Sequence, residues 1–398
     1  MACVCLRLGG PRNYNSCGTD ASMVWLTTLG MLSMPVLVML YWRLPSAWRP
    51  WLLALGGAIL LVHDGWASVA AWSALLAWLA FICGPQWRRP ALMQTLGLAG
   101  VLFAFLAYQY AKASHGLAAY MGYAFVSLKA WHLIAEHGGG IARDGRTGTT
   151  LGYLLFPPTL AVGPVQRHDA FRLELLRARW DRQLASQALQ RMLYGYCKVV
   201  LLAGYLVSAK LNGLNLSTGH AWLDAYLPLL GYGLNLYWQF SGYCDIAIGF
   251  AALLGMRVPE NFHFPFAARN LSDFWRRWHI TVSEWCRDFV FRPLLTRTRQ
   301  YLFASLGSMI VLGLWHELSS RYLAWGLFHG AGLAIVHLWG KHMPWAEQLR
   351  RYALWRAFSW FLTLQFVILS FALTSTADLH AAWACLAVLF APLLPGSY

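Results

Sequence analysis

Asn270-Leu-Ser-Asp-Phe-Trp-Arg-Arg-Trp-His279 opens the stretch on which the reading of this chain turns. Further arginines follow as far as Arg299. The chain then becomes abruptly apolar from Tyr301 to Leu314 and carries Trp315-His316-Glu317 near the end of that run. An ionisable pair at membrane depth is costly to build, so its presence beside a charged aromatic arm argues for a working site. The arm itself reads as a helix lying on or dipping into a membrane surface. Asp273 and Arg277 are four apart and Glu284 and Arg287 three apart, so opposite charges meet on one helical face. Trp275, Trp278 and Trp285 form an aromatic stripe suited to lipid headgroups. Arg269, Arg276, Arg277, Arg287, Arg292, Arg297 and Arg299 outnumber the acids, and a loop that only sets topology would show the same bias.

Composition agrees with a membrane setting. Of 398 residues, 58% are hydrophobic and 12% charged, and the mean hydropathy is +0.46. Apolar runs recur at about 24–42, 50–63, 66–84, 91–111, 117–135, 192–211, 222–240, 241–256, 301–317, 321–340, 354–374 and 379–395, most of them near the length that spans a hydrocarbon core. The expected fold is therefore all-α, a polytopic integral membrane protein with about 10–12 transmembrane helices plus re-entrant and amphipathic surface segments. Residues 1–22 read as a disordered or mis-annotated tail, lacking a signal-peptide core, and 23–398 as a single membrane-embedded domain.

The net charge of +15 sits in short loops rather than in one patch. It therefore reads as orientation rather than as nucleic-acid binding. Arg43 and Arg49, and Arg88 and Arg89, place the 43–50 and 84–90 loops in the cytoplasm, with 63–66 and 112–116 outside. Segment 148–166 holds Pro157, Pro158 and Pro164, and broken backbone at membrane depth requires protein or water around it. Its flanks are basic on both sides, which fits a re-entrant hairpin better than a proline-kinked crossing. An amphipathic cytoplasmic helix is expected over 167–191. Gly138–Gly140 follows no strand and reads as a turn rather than a phosphate loop. The eight cysteines fall singly, so neither a structural metal nor a disulfide framework is expected.

Several chemistries are excluded by their missing signatures. There is no Gly-x-Ser-x-Gly elbow and no Walker loop. His316-Glu317-Leu-Ser-Ser lacks the second histidine of a zinc protease, and His220 and Asp224 have the wrong spacing for the soluble glycerolipid acyltransferases. Histidine remains as the working base. His316 ends an apolar run, where burial would keep an imidazole neutral and able to take a proton. A core histidine bonded to a backbone carbonyl fits the residues alone equally well.

Several segments occur in a recognisable order: Ser241-Gly-Tyr-Cys-Asp-Ile-Ala-Ile-Gly249, Pro259-Glu-Asn-Phe262, Asp273-Phe-Trp-Arg-Arg-Trp-His279, Arg287-Asp-Phe-Val-Phe-Arg-Pro293, Gly313-Leu-Trp-His316 and Ala324-Trp-Gly-Leu-Phe-His-Gly330. With Phe156-Pro-Pro-Thr-Leu-Ala-Val-Gly-Pro-Val-Gln-Arg167 upstream, this order resembles the membrane-bound O-acyltransferase family. The nearest likeness is to its bacterial branch of alginate O-acetylases and teichoic-acid D-alanylation membrane proteins. The resemblance runs from about Gly122 to Gly332.

It implies that His316 is catalytic and that His279 is a second functional histidine near the donor entrance or tunnel. The residues alone also allow His279 to hold the arm by bonding a carboxylate. Arg276, Arg277 and Arg287 are expected to attract donor phosphates. Asp245, Tyr243, Glu317 and His329 are expected at the acceptor or along the tunnel, although Asp245 also suits neutralising an arginine and Tyr243 helix packing. Relatives commonly carry Gly after Leu-Trp-His, so Glu317 is a departure that bears on the acceptor site. Ser127-Leu-Lys-Ala-Trp-His-Leu-Ile-Ala-Glu136 looks more like the D-alanine branch.

The expected function is transfer of an acetyl or D-alanyl group from a cytoplasmic thioester to a hydroxyl of a cell-envelope polysaccharide or teichoic-acid-like polymer. The expected location is the inner (plasma) membrane. No bound cofactor is implied; acyl-CoA or an acyl-phosphopantetheine carrier protein is the donor. Expected partners are the lipid bilayer, the carrier, the polymer and a periplasmic or extracellular transferase, with no nucleic acid. A polytopic transporter, or a non-catalytic subunit of an envelope-modification complex, is the alternative. The first lacks paired broken helices, and the second would not need His316.

Overall fold

The computed structural model describes residues 28–82, 90–115, 122–137, 147–211, 218–343, 345–349 and 351–391. Among these every regular element is a helix. The expected tail at 1–22, the Arg88–Arg89 loop and the Gly138–Gly140 turn lie outside the described residues. The first helices are α1 (Thr28–Arg43), α2 (Arg49–Asp64), α3 (Trp66–Ile82), α4 (Pro90–His115), α5 (Tyr123–His137) and α6 (Thr147–Leu154). Helix α4 continues through most of the segment expected as an outside loop at 112–116.

Next come α7 (His168–Arg177), α8 (Arg182–Leu211) and α9 (Ala221–Leu253). The arm supplies α10 (Leu271–Trp275), α11 (Ile280–Cys286) and α12 (Arg292–Thr298). The chain closes with α13 (Tyr301–His316), α14 (Ser320–His342), the single turn α15 (Ala346–Leu349), α16 (Ala353–Ser370), α17 (Ala372–Ser375) and α18 (Leu379–Phe390). Among the described residues, four helical stretches are long and apolar enough to cross a membrane on length and composition: Ala91–Lys112, Arg182–Leu211, Ser320–His342 and Ala353–Ser375. Trp66–Ile82, Tyr301–His316 and Leu379–Phe390 are shorter apolar helices. Large apolar side chains point outward along many of them, Phe103 at 75% exposure and Leu354 at 86%, as a lipid-facing surface requires.

Three expectations are corrected. The pair of spans at 222–240 and 241–256 is one helix, α9, because Gly242 stays out of the positive-φ conformation that would end it and the helix runs on through Ser241-Gly242. It ends where a helix can end, at Gly255, whose φ is +71°. There Met256 N–H reaches the carbonyl of Ala251 and Gly255 N–H that of Ala252, a glycine-terminated closure of the last turn. The amphipathic helix expected over 167–191 is two helices. Asp181 separates them, its Oδ1 accepting from the backbone N–H groups of Gln183 at 2.8 Å and Leu184 at 3.2 Å, which caps α8. The arm is two helical stretches rather than one, α10 before His279 and, after it, α11 and α12 joined by a π-helical turn over Arg287–Phe291, for a reason that belongs to the site.

The chain packs as two compact units. Among the described residues, one holds those up to Tyr196 together with Gly242–Glu260; the other holds Cys197–Ser241 and Asn261 onward. In the first, residues 152–166 are buried throughout, and beyond the end of α6 at Leu154 only a single 3-10 turn, Pro157–Thr159, interrupts their irregular path. Lys129 on α5 is 1% exposed. Its ammonium donates to Thr159 Oγ1 at 2.9 Å and to the carbonyl of Tyr153 at 3.4 Å, and the Tyr153 hydroxyl donates to the Gln166 carbonyl at 2.7 Å. These side chains supply bonds that the broken helix lacks, so the segment is surrounded by protein as expected. Asp245 neutralises an arginine in this unit: Arg191 on α8 donates to it at 3.0 Å and to Glu260 at 2.5 Å.

The second unit is organised by the α13–α14 hairpin. A Cβ on Gly313 would collide with the Tyr322 carbonyl, and one on Gly326 would lie 2.6 Å from that of Met309. Only glycine permits this approach. It brings the end of α13, with His316, against the face of α14 that carries Tyr322, Trp325 and His329.

Candidate active site

The arm breaks at His279. Asn270 caps α10 by accepting from Asp273 N–H at 2.8 Å. Arg276 and Arg277 end that helix, and His279 then adopts the left-handed conformation, φ 47° and ψ 48°. A non-glycine residue there is strained by about 1–2 kcal/mol. The strain is held by pairing with the preceding Asn261–His263 segment: His263 N–H bonds the Arg277 carbonyl at 2.9 Å and Ile280 N–H the Asn261 carbonyl at 3.0 Å. Because of this break the tryptophans do not form a continuous helical stripe. Trp275, Trp278 and Trp285 are 8%, 8% and 7% exposed, so they pack into the protein instead of facing headgroups. That corrects the expectation drawn from their spacing.

Asn261 is completely buried, and sequence reasoning gave it no role beyond its place in Pro259-Glu-Asn-Phe262. Its Oδ1 accepts from Thr281 N–H at 3.2 Å and from Thr281 Oγ1 at 3.0 Å, which identifies that atom as the oxygen. The same oxygen lies 3.4 Å from His279 Nδ1, a long contact that only an Nδ1–H can make favourably. His279 thus lies against a carboxamide, a partner that the residues alone did not suggest. Its ring is 2% exposed. Burial first, and then the neighbouring imidazole of His316, hold its pKa well below the usual imidazole value.

Trp275, Trp278 and His279 of the arm face Phe240 of α9, His316 of α13, Trp325 and His329 of α14, and Ser370 of α16 around a cavity of about 60 Å³. The ring of His316 lies 6.4 Å from that of His279 and 6.0 Å from that of Trp325, centre to centre. His316 is half-buried, at the rim; His279 and His329 are the buried imidazoles. The expectation that burial covers His316 is corrected on that point; it is the last residue of α13.

Other expected site residues fall elsewhere. Glu317 does not line the cavity. Its carboxylate takes a two-pronged bond from Arg321, at 3.1 and 2.6 Å, and Arg321 also donates to the carbonyl of Thr374 at 3.1 Å and to that of Thr376. Tyr243 and Asp245 are not among the lining residues either. Arg277 is bound to Asp273 at 2.9 Å. For Asp273, burial opposes ionisation, but the hydrogen bonds from Arg277 and Arg269 outweigh it and hold the carboxyl below the usual carboxylate range. Arg276 is 69% exposed, 3.6 Å from Asp273, and Arg287 contacts Asp288 at 3.1 Å and Glu284 at 3.7 Å. Among the described residues no group of three or more His, Cys, Asp or Glu is placed to hold a metal ion.

The sequence model of the MBOAT, membrane-bound O-acyltransferase, family matches residues 148–376, a span that contains the whole cavity. A teichoic acid D-alanyltransferase of Streptococcus thermophilus is 31% identical over 291 residues, covering 64% of this chain and 68% of that protein. A probable alginate O-acetylase of Pseudomonas syringae pv. tomato is 33% identical over 235 residues, 56% of this chain and 42% of that protein. A peptidoglycan O-acetyltransferase of Helicobacter pylori is 27% identical over 239 residues, 58% of this chain and 44% of that protein. The histidine-lined cavity thus lies within a match that covers more than half of the 398 residues, and the chain belongs to the membrane-bound O-acyltransferase family, a membrane-embedded O-acyltransferase.

Proposed function

We propose that this enzyme moves a small acyl group, acetyl or D-alanyl, from a cytoplasmic thioester to a hydroxyl of a cell-envelope polymer, and that it does so in the inner (plasma) membrane. The observation that carries the reading is the cavity itself, about 60 Å³. A single water needs about 10–15 Å³, so the space has room for a few non-hydrogen atoms. The relatives named above transfer D-alanine or acetate to envelope polymers by their names, and both groups fit that size.

His316 at the rim is the general base. The acceptor hydroxyl gives its proton to His316 while its oxygen attacks the thioester carbonyl carbon. The tetrahedral intermediate collapses by breaking the carbon–sulfur bond, and the proton on His316 passes to the departing thiolate. His279, neutral and against Asn261, stands behind it as the second functional imidazole. The phosphates of the donor, whether coenzyme A or the phosphopantetheine of a carrier protein, are attracted by Arg276, Arg277 and Arg287. Two of these sit in the chain between Trp275 and Trp278, which wall the cavity. The partners in this reading are the acyl donor, coenzyme A or a carrier protein, and the polymer; an external transferase is an additional partner that the transfer step itself does not need.

The test is reconstitution of the purified protein in vesicles with acetyl-CoA in one arm and a D-alanyl carrier protein in the other, measuring ester formed on an added polyol acceptor. Ester from one arm identifies the donor. Ester from neither, with His316 intact, overturns the reading.

A further inference from the structure

His329 lies on the same wall of the cavity as Trp325, and its chemistry differs from that of the other two histidines. Trp275 Nε1 is 3.3 Å from His329 Nδ1. An indole nitrogen only donates, so His329 Nδ1 accepts, its ring is neutral, and the proton sits on Nε2. That Nε2–H has no hydrogen-bond partner among the described residues, although the side chain is 1% exposed and borders the cavity. An unsatisfied buried donor is costly, and a bound acceptor atom would remove that cost. The ring is also held in place by its neighbours. Trp325 packs against it at 4.7 Å, Phe366 at 5.3 Å and Trp275 at 5.4 Å, centre to centre.

This arrangement rules His329 out as a base through Nε2 and suits it as a fixed neutral donor. We propose that His329 donates its Nε2–H to the carbonyl oxygen of the bound thioester and to the oxyanion that forms when the acceptor attacks. The inference rests on the acyl-transfer reading above. In it, His316 and His329 divide the reaction between them: one takes the proton of the hydroxyl, the other receives the charge that develops on the carbonyl oxygen. The donor is placed before the reaction starts, so no reorganisation is needed when the charge appears.

The test is a series at one position. His329→Gln keeps a donor near the place of Nε2, His329→Asn keeps an acceptor near Nδ1 for Trp275, and His329→Leu keeps neither. With ester formation by the unaltered enzyme as the control, the Gln variant is expected to retain most of kcat. The Asn and Leu variants should lose about 10²–10³-fold in kcat, the usual loss of one oxyanion donor, with little change in donor KM. A residue that only packs against Trp275 would give the opposite order, with Asn at least as active as Gln, and that result overturns the proposal.

A second measurement needs no variant. A dethia pantetheine analogue with a ketone at the thioester position should bind the unaltered protein more tightly than the same analogue reduced to methylene. Equal binding overturns the proposal even where the variants fail to fold. If the unaltered protein forms no ester from either donor, the acyl-transfer reading falls and takes this inference with it.

Discussion

The imidazoles of His279 and His316 lie 6.4 Å apart, centre to centre, although one belongs to a strained turn in a charged arm and the other to the last turn of an apolar helix. Trp315 contacts both, at 6.0 Å from His279 and 4.8 Å from His316. The pair is therefore held by packing, with the buried member against Asn261 and the other half-buried at the rim. That difference separates what each substitution should do.

His316→Ala should abolish ester formation, by about 10²–10⁴-fold, since a positioned general base contributes on that scale. The helices keep their contacts and the arginines keep the donor, so donor binding should persist. Donor affinity by calorimetry and ester formation by product assay are to be measured on the same monodisperse preparation. Near-normal ester formation would remove His316 as the base.

Arg276→Ala and Arg277→Ala should diverge. Arg276 is 69% exposed, so its loss should raise the donor KM and weaken the salt dependence of binding while leaving stability unchanged. Arg277 donates to Asp273 at 2.9 Å beside the Asn270 cap, and its loss should also lower the melting temperature. Equal effects on stability would contradict the placement of the two side chains.

Acidification should act through His279. Its folded pKa lies well below the usual value, whereas an unfolded histidine takes up its proton near about 6.5. The unfolded chain therefore binds more protons below that pH. Stability from this site is complete above about 6.5 and is lost as pH falls toward the folded pKa. His279→Asn, which tolerates the left-handed backbone, should make the decline of melting temperature between about pH 7 and 5 shallower. An unchanged slope would assign the decline to other groups.

Glu317 should matter more to stability than to the donor. Arg321 is 9% exposed at its side chain and Glu317 25%, so Glu317→Ala leaves a nearly buried guanidinium without its carboxylate. The expected cost is about 3 kcal/mol, at the lower end for breaking a buried pair, with donor KM little changed. Differential scanning fluorimetry and steady-state kinetics in detergent check both parts. A raised KM with no loss of stability would return Glu317 to a substrate-binding role.

The loop charges set the orientation. Residues 43–50, 84–90, 167–191 and most of 269–299 should face the cytoplasm. A cysteine placed at Arg179, in the break between α7 and α8, should be labelled by an impermeant reagent only from that side. Labelling from outside would invert the topology.

Much of this protein was legible before any coordinates. Apolar run lengths gave an all-helical membrane chain, the proline-rich segment at 148–166 gave the buried break, and ordered motifs gave the family and the histidines. Helix α9 and the arm were misread because Gly242 stays out of the positive-φ conformation that would end α9 and because the turn at His279 is imposed by pairing with Asn261–His263, residues outside the arm. The inward direction of Trp275, Trp278 and Trp285, the claim of Arg321 on Glu317, and the Nε2–H tautomer of His329 are likewise set by contacts between distant segments.

The physical reason is the solvent. In water, polarity marks the outward face of a helix, so periodicity reports burial. In a bilayer both the lipid face and the protein core are apolar, and the pattern along the chain no longer says which side is in. The sequence by itself determined the class of fold, the helical stretches and the chemical groups available. Which of those groups meet around the cavity, and in which tautomer, was decided by tertiary packing.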